Sequence, residues 1–173
     1  MYNENTYLIQ DEELNYTGRE SNKELGNFRL LGKSKHQQYF TSVELSRAIY
    51  EILSPLIKDE AKVNVLDPTC GSGRLLYPWK KAGQFVTGIE LDKEPYDVAV
   101  KLLGKISVRK GDILTYANYL SGYQFAISNP PYGIWWNVAE RHFDFSWDTE
   151  SYEGNVESQT AVLEIITKAL DYN

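Results

Sequence analysis

Apolar and polar positions follow two different rhythms along this chain. From Thr41 onward, Leu45, Ala48, Ile49, Ile52, Leu53 and Leu56 recur at helical intervals, which predicts an amphipathic helix that bends or ends near Pro55. Thr41 followed by Glu44 has the spacing of a capping box at its start. Beyond a charged link at 58–62 the rhythm shortens. Apolar runs at 63–66, 85–91, 106–108 and 125–128 have the length and the β-branched or aromatic content of strands. Between them, 74–82 and 95–103 can be helical, with Val98, Leu102 and Leu103 apolar in the second, although Pro78 requires the first to start irregularly. The connection 114–123 has no clear pattern. A last helix is predicted at 158–170, with Val162, Leu163, Ile166, Ala169 and Leu170 forming its apolar face.

Strands that alternate with helices imply an α/β fold, a parallel sheet flanked by helices and wound by right-handed crossovers. Four strands and one closing helix would leave that sheet unfinished on its C-terminal side, so a fragment or a truncated relative of a longer protein is expected. Residues 1–32 carry little periodicity and read as an N-terminal arm. Residues 33–173 then make up one domain, partial on its C-terminal side.

Composition narrows the classes. With 173 residues and 42% hydrophobic content, the chain can bury one ordinary core. No apolar run approaches the ~20 residues that span a bilayer, and the polar N-terminus lacks the pattern of a secretory signal, so no membrane association and a cytoplasmic setting are expected. One cysteine and two histidines give neither an internal disulfide nor the clustered ligands of a zinc site, and no metal is expected. A net charge of -6 argues against a general basic surface for nucleic acid, because phosphate binding is carried by Lys and Arg. Any such role needs a local site or a partner.

Candidate chemistry lies at the predicted strand ends. "VLDPTCGSGRLL" puts Asp67, Gly71 and Gly73 between a strand and a helix, where small residues let the backbone approach a ligand. The dinucleotide fingerprint fails, because Leu76 stands where its third glycine belongs, and no Walker lysine follows. An acidic residue at the mouth of the loop suits an ammonium better than a pyrophosphate. Glu90, at the end of the second strand, can accept both hydroxyls of a ribose. Asp112, after the third, can accept from an exocyclic amine of adenine. Three carboxylates at three successive strand ends describe a nucleoside with a cationic tail. Singly, each is as well explained as a solvated loop acid or a helix cap. "SNPPYG", with Asn129, Pro130, Pro131 and Tyr132, follows the fourth strand and by itself could be a tight turn.

Taken in order, "QQYFTS", "DPTCGSG", "GIELD", "GDIL" and "SNPPYG" resemble the S-adenosylmethionine-dependent methyltransferases that act on the N6 amine of adenine in DNA, in the group whose cofactor motifs precede the catalytic one. The resemblance runs from about Gln38 to the last helix and implies a Rossmann-like methyltransferase fold. It also implies that Thr41 touches the methionine carboxylate, and that Asp67, Pro68, Thr69, Cys70 and the Gly71 to Gly73 backbone surround the methionine portion. Glu90 with Leu91 would hold the ribose, and Asp112 with Ile113 the adenine. Asn129, which would also belong to the cofactor site, and the carbonyl of Pro130 would each accept one hydrogen of the target amine, with Pro131 stiffening the turn and Tyr132 stacking on a flipped adenine. Cys70 reads as a small buried residue rather than a nucleophile.

Trp135, Trp136, Phe143, Phe145 and Trp147 could contact DNA or simply pack a long loop. Lys33, Lys35 and His36 could reach phosphate, although a solvated charged loop explains them as well. The family's target-recognition domain has no room in this chain, so a separate domain or subunit would supply it. Three alternatives stay open: methylation of a glutamine amide in protein, methylation of RNA, and an inactive methyltransferase-like binding module.

Overall fold

The computed structural model describes residues 40–58, 62–138 and 155–170. The expected N-terminal arm, Lys33, Lys35 and His36, and the Phe143 to Trp147 part of the aromatic loop lie outside the described residues. The fold is a four-stranded parallel sheet with helices on both faces. Strands β1 (Asn64–Asp67), β2 (Phe85–Glu90), β3 (Val108–Lys110) and β4 (Phe125–Ala126) lie in the order β3-β2-β1-β4. The chain therefore winds outward from β1 to β3, then crosses back to place β4 on the other side of β1. Every paired strand runs the same way, so all four carboxyl ends share one edge. The gap between β1 and β4 is the topological switch point, where open α/β sheets bind their ligands.

Alternation along the strands divides the core in two. Val65 and Val86 face a layer built from Leu75, Leu76, Trp79, Ala99 and Leu103, and Leu66 and Ile89 face the opposite layer with Ile113, Leu114, Ala161 and Ile165. Helices α1 (Val43–Leu53), α2 (Tyr77–Lys81) and α3 (Lys93–Leu103) cover the first face, and α4 (Ile113–Tyr116) and α5 (Ser158–Ala169) the second. Trp79 anchors the first layer with no exposed surface; its ring lies 5.2 Å from that of Tyr50 and 5.1 Å from that of Phe125. A two-stranded antiparallel ribbon, β5 (Trp135–Asn137) with β6 (Asn155–Glu157), leads into α5.

Several elements differ from the sequence expectation. The cap of α1 is Ser42, whose Oγ accepts from Leu45 N at 3.2 Å, not Thr41, so the Thr41 hydroxyl is available for another contact. The inward face of α1 carries Ser46, Ile49, Tyr50 and Leu53, while Leu45, Ile52 and Leu56 are exposed. In α5 the buried face is Ser158, Ala161, Val162, Ile165 and Ala169, and Leu163 points outward. Strand β3 begins at Val108 rather than at 106, because Gly104, at a φ of 87°, ends α3 and a single 3₁₀ turn over Lys105–Ser107 follows. Pro78 sits in the first turn of α2, where its missing N–H removes no helical bond; the irregular stretch before Tyr77 is the start that its position demanded.

Candidate active site

Parallel pairing places Asp67 at the end of β1, Glu90 at the end of β2, Asp112 two residues past β3 and Asn129 three past β4. All four line one open cleft, together with Phe40, Thr41, Pro68 and the loop 69–72. The floor is the glycine loop, held to the sheet by Cys70 N donating to Ile89 O at 2.9 Å. The loop lies so close to β2 that a Cβ on Gly88 would stand 2.7 Å from Cys70 Sγ.

Each acidic side chain is oriented by a backbone donor. Asp67 Oδ1 accepts from Thr69 N at 3.1 Å, and Glu90 Oε1 from Asp92 N at 2.7 Å. Asp112 Oδ1 accepts from Leu114 N at 3.0 Å and so caps α4. Asp67 is 1% exposed, and that burial pushes its carboxyl up to about 7. Burial likewise raises Glu90 to about 7. Buried carboxylates with no Lys or Arg paired to them among the described residues suit a positively charged ligand. Burial, reinforced by the charges of Asp67 and Glu90, drives the Cys70 thiol well above its usual range, the opposite of an activated nucleophile.

On the far side of the switch point, Asn129 Nδ2 donates to Thr41 Oγ1 at 3.3 Å. The turn behind it is held by α5. Ser158 Oγ donates to Pro131 O at 2.6 Å, and Ser158 N donates to Ile134 O at 2.8 Å. Ser128, just before the turn, shares a 2.8 Å hydroxyl contact with Thr69 of the glycine loop. Glycine loop and proline turn are thus joined directly across the switch point.

Of the sequence-predicted residues, Thr41, Asp67, Pro68, Thr69, Cys70, Gly71, Glu90, Leu91, Asp112, Ile113, Asn129 and Pro131 line the cleft. Pro130 and Tyr132 are not part of its lining, and Tyr132 is 47% exposed at the rim. Gly73 is turned away. A Cβ there would meet Leu103 Cδ1 at 2.9 Å and Ala99 Cβ at 3.3 Å, so this glycine, at a φ of +84°, lets α3 pack against the loop. Phe40, Ser72, Arg74, Leu75, Ile89, Asp92 and Gly111 also line the cleft. Among these, Arg74 carried a usable signal, as a cation one residue beyond a glycine loop. Among the described residues no group of three or more His, Cys, Asp or Glu is placed to hold a metal ion, and no helix is long and apolar enough to cross a membrane.

A parallel sheet with acidic strand ends, a glycine loop and an Asn-Pro-Pro-Tyr turn at its switch point defines a methyltransferase-type α/β domain. The N-6 DNA methylase family model matches residues 24–173, and the chain belongs to that family, which uses S-adenosylmethionine. A Listeria monocytogenes protein assigned to the class I S-adenosylmethionine-dependent methyltransferases has the same fold, with a TM-score of 0.62 and 20% identity over 81% of this chain and 45% of that one. The methyltransferase subunit of a type I restriction-modification system from Streptococcus thermophilus matches with a TM-score of 0.58 and 20% identity, over 78% of this chain and 32% of that one. A Pyrococcus horikoshii protein assigned as an RNA methyltransferase is 28% identical over 59% of this chain and 53% of that one, with a TM-score of 0.48. The chain thus spans about half or less of each of these structures.

Proposed function

We propose that this domain transfers a methyl group from S-adenosylmethionine to the N6 amine of adenine in DNA. The observation that carries the reading is the place of Asn129: beyond the end of β4, tied to Thr41, across the switch point from the acidic strand ends. The cleft fits the methyl donor by the chemistry of its lining, with Glu90 for the ribose, Asp112 for the adenine amine and the Asp67 loop for the amino-acid portion. When bound, that cofactor supplies an electrophilic methyl on a sulfonium.

The residues of this chain deal with the acceptor. An aromatic amine is a poor nucleophile because its lone pair is delocalised into the ring. The Asn129 side-chain oxygen and the Pro130 carbonyl accept one N6 hydrogen each, favouring a pyramidal nitrogen whose lone pair points outward. The Pro131 carbonyl accepts from Ser158 Oγ, which holds the turn, and the resemblance assigns the backbone acceptor to Pro130. Tyr132 stacks on the base once it has left the duplex. Proximity and orientation do the rest. Sequence-specific DNA contact comes from a separate recognition domain or subunit, in keeping with the net charge of -6.

The test is methyl transfer to adenine-containing single- and double-stranded DNA, with the product nucleosides analysed. N6-methyladenine is expected. Asn129→Ala should abolish it while cofactor affinity stays within a few-fold, as expected for a group whose main task is at the acceptor although it also borders the cofactor. Undiminished turnover by that variant removes Asn129 from the reaction. Methylglutamine or methylated RNA as the product would reassign the acceptor, and no product from a cofactor-binding chain would make this a binding module.

A further inference from the structure

The charge along the cleft is uneven. Among the described residues that line it, Arg74 is the one Lys or Arg, against Asp67, Glu90, Asp92 and Asp112. It is 6% exposed, an unusual depth for a guanidinium, since burying such a charge is costly unless acceptors meet its donors. Its Nη1 donates to Thr41 O at 2.9 Å, which fixes the head group in the corner formed by Phe40 and Thr41. Glu44, on the first turn of α1, supports its charge from outside the cleft lining.

A methyl donor with a methionine tail carries a sulfonium, an α-ammonium and an α-carboxylate. The four acidic residues complement the two cationic groups and repel the carboxylate. We propose that Arg74 binds the α-carboxylate of the cofactor and so sets which way the amino-acid tail points. A guanidinium suits this task because its planar fork of N–H donors matches the two oxygens of a carboxylate. The inference rests on the cofactor reading above and adds to it one residue, Arg74, as the cation that holds the tail carboxylate beside Thr41.

The test compares S-adenosylmethionine with its decarboxylated analogue, which keeps the sulfonium, the amine and the nucleoside, by calorimetric titration of the whole chain. The wild-type chain should prefer the carboxylated ligand by about tenfold or more, the scale of a charge-assisted hydrogen bond. Arg74→Met should reduce the preference to about twofold or less, mainly by weakening the carboxylated ligand, and Arg74→Lys should keep part of it, a point charge without the fork. An unchanged preference in a folded Arg74→Met overturns the assignment. Equal affinity of the wild-type chain for both ligands overturns it without any variant, and so covers the case in which Arg74→Met does not fold. Binding of neither ligand by the folded wild-type chain would instead bring down the cofactor reading of the whole cleft.

Discussion

At the residue scale, the side chains of the cleft each serve two masters. Glu90 accepts from Asp92 N and Asp112 caps α4, so each keeps its direction before any ligand arrives. That preorganisation lowers the cost of ordering on binding. Glu90→Ala should therefore weaken S-adenosylmethionine by ~1–3 kcal/mol, the range for lost hydrogen bonds to a charged acceptor, and calorimetry would show it; an unchanged dissociation constant would take Glu90 out of the ribose site. The acidic positions and Asn129 were readable because chemistry-bearing residues stood directly behind apolar runs of strand length. Ser72, Ile89 and Gly111, which also line the cleft, were not, since their residue types carry no charge or motif that marks them. Gly73 shows the reverse limit: a glycine in a ligand loop can be required by its neighbour, here Leu103, and residue type alone does not tell the two cases apart.

At the scale of elements, the sequence located the secondary structure better than it oriented it. The apolar residues of α1 spread over more than one face, and counting them selected Leu45 and Ile52, which are exposed, over Ser46 and Tyr50, which turn inward. The same happened in α5 with Leu163. Periodicity fixes a stripe; which stripe meets the sheet depends on partners far away in the chain. Strand β3 was misplaced by two residues because its ends, Arg109 and Lys110, are exposed and belong to an edge strand, whose polar face resembles a loop. The role of α5 lay wholly outside sequence reasoning. Its first residue, Ser158, holds the Pro131 carbonyl from 27 positions away. Ser158→Ala should lower kcat by about tenfold, the loss of one positioning hydrogen bond, with the cofactor dissociation constant unchanged and with partial recovery in Ser158→Thr. Equal losses in kcat and in cofactor affinity would mark a general loosening of the fold instead.

At the scale of the whole molecule, the acidic cleft couples stability to pH. Asp67 and Glu90 titrate near 7 in the fold but near ~4 in an unfolded chain. Between those values the native state holds protons that the unfolded chain has already released, so stability falls as pH rises from about 4 through about 7. A cationic ligand reverses the sign, because it favours the ionised carboxylates. Thermal melts of the ligand-free chain should decline from pH 5 to pH 8, and the rise in melting temperature given by S-adenosylmethionine should grow over the same interval. A protective effect independent of pH would mean that the two carboxylates do not face the cofactor's charge.

The order β3-β2-β1-β4 has a mechanical consequence as well. On the proposed reading, donor-binding groups hang on β1, β2 and β3, and acceptor-binding groups follow β4. The ladder that joins the two halves has two residue pairs, Val65 with Phe125 and Leu66 with Ala126, flanked by the bonds from Gln124 N to Asn64 O and from Ile127 N to Leu66 O. A methyl group in flight between sulfur and nitrogen would cross this seam, and its path length is set by how firmly so short a splice is clamped. On that reading the fold turns an ordinary strand contact into the gauge of its own chemistry: whatever grips β4 against β1 would also fix how far the methyl must travel.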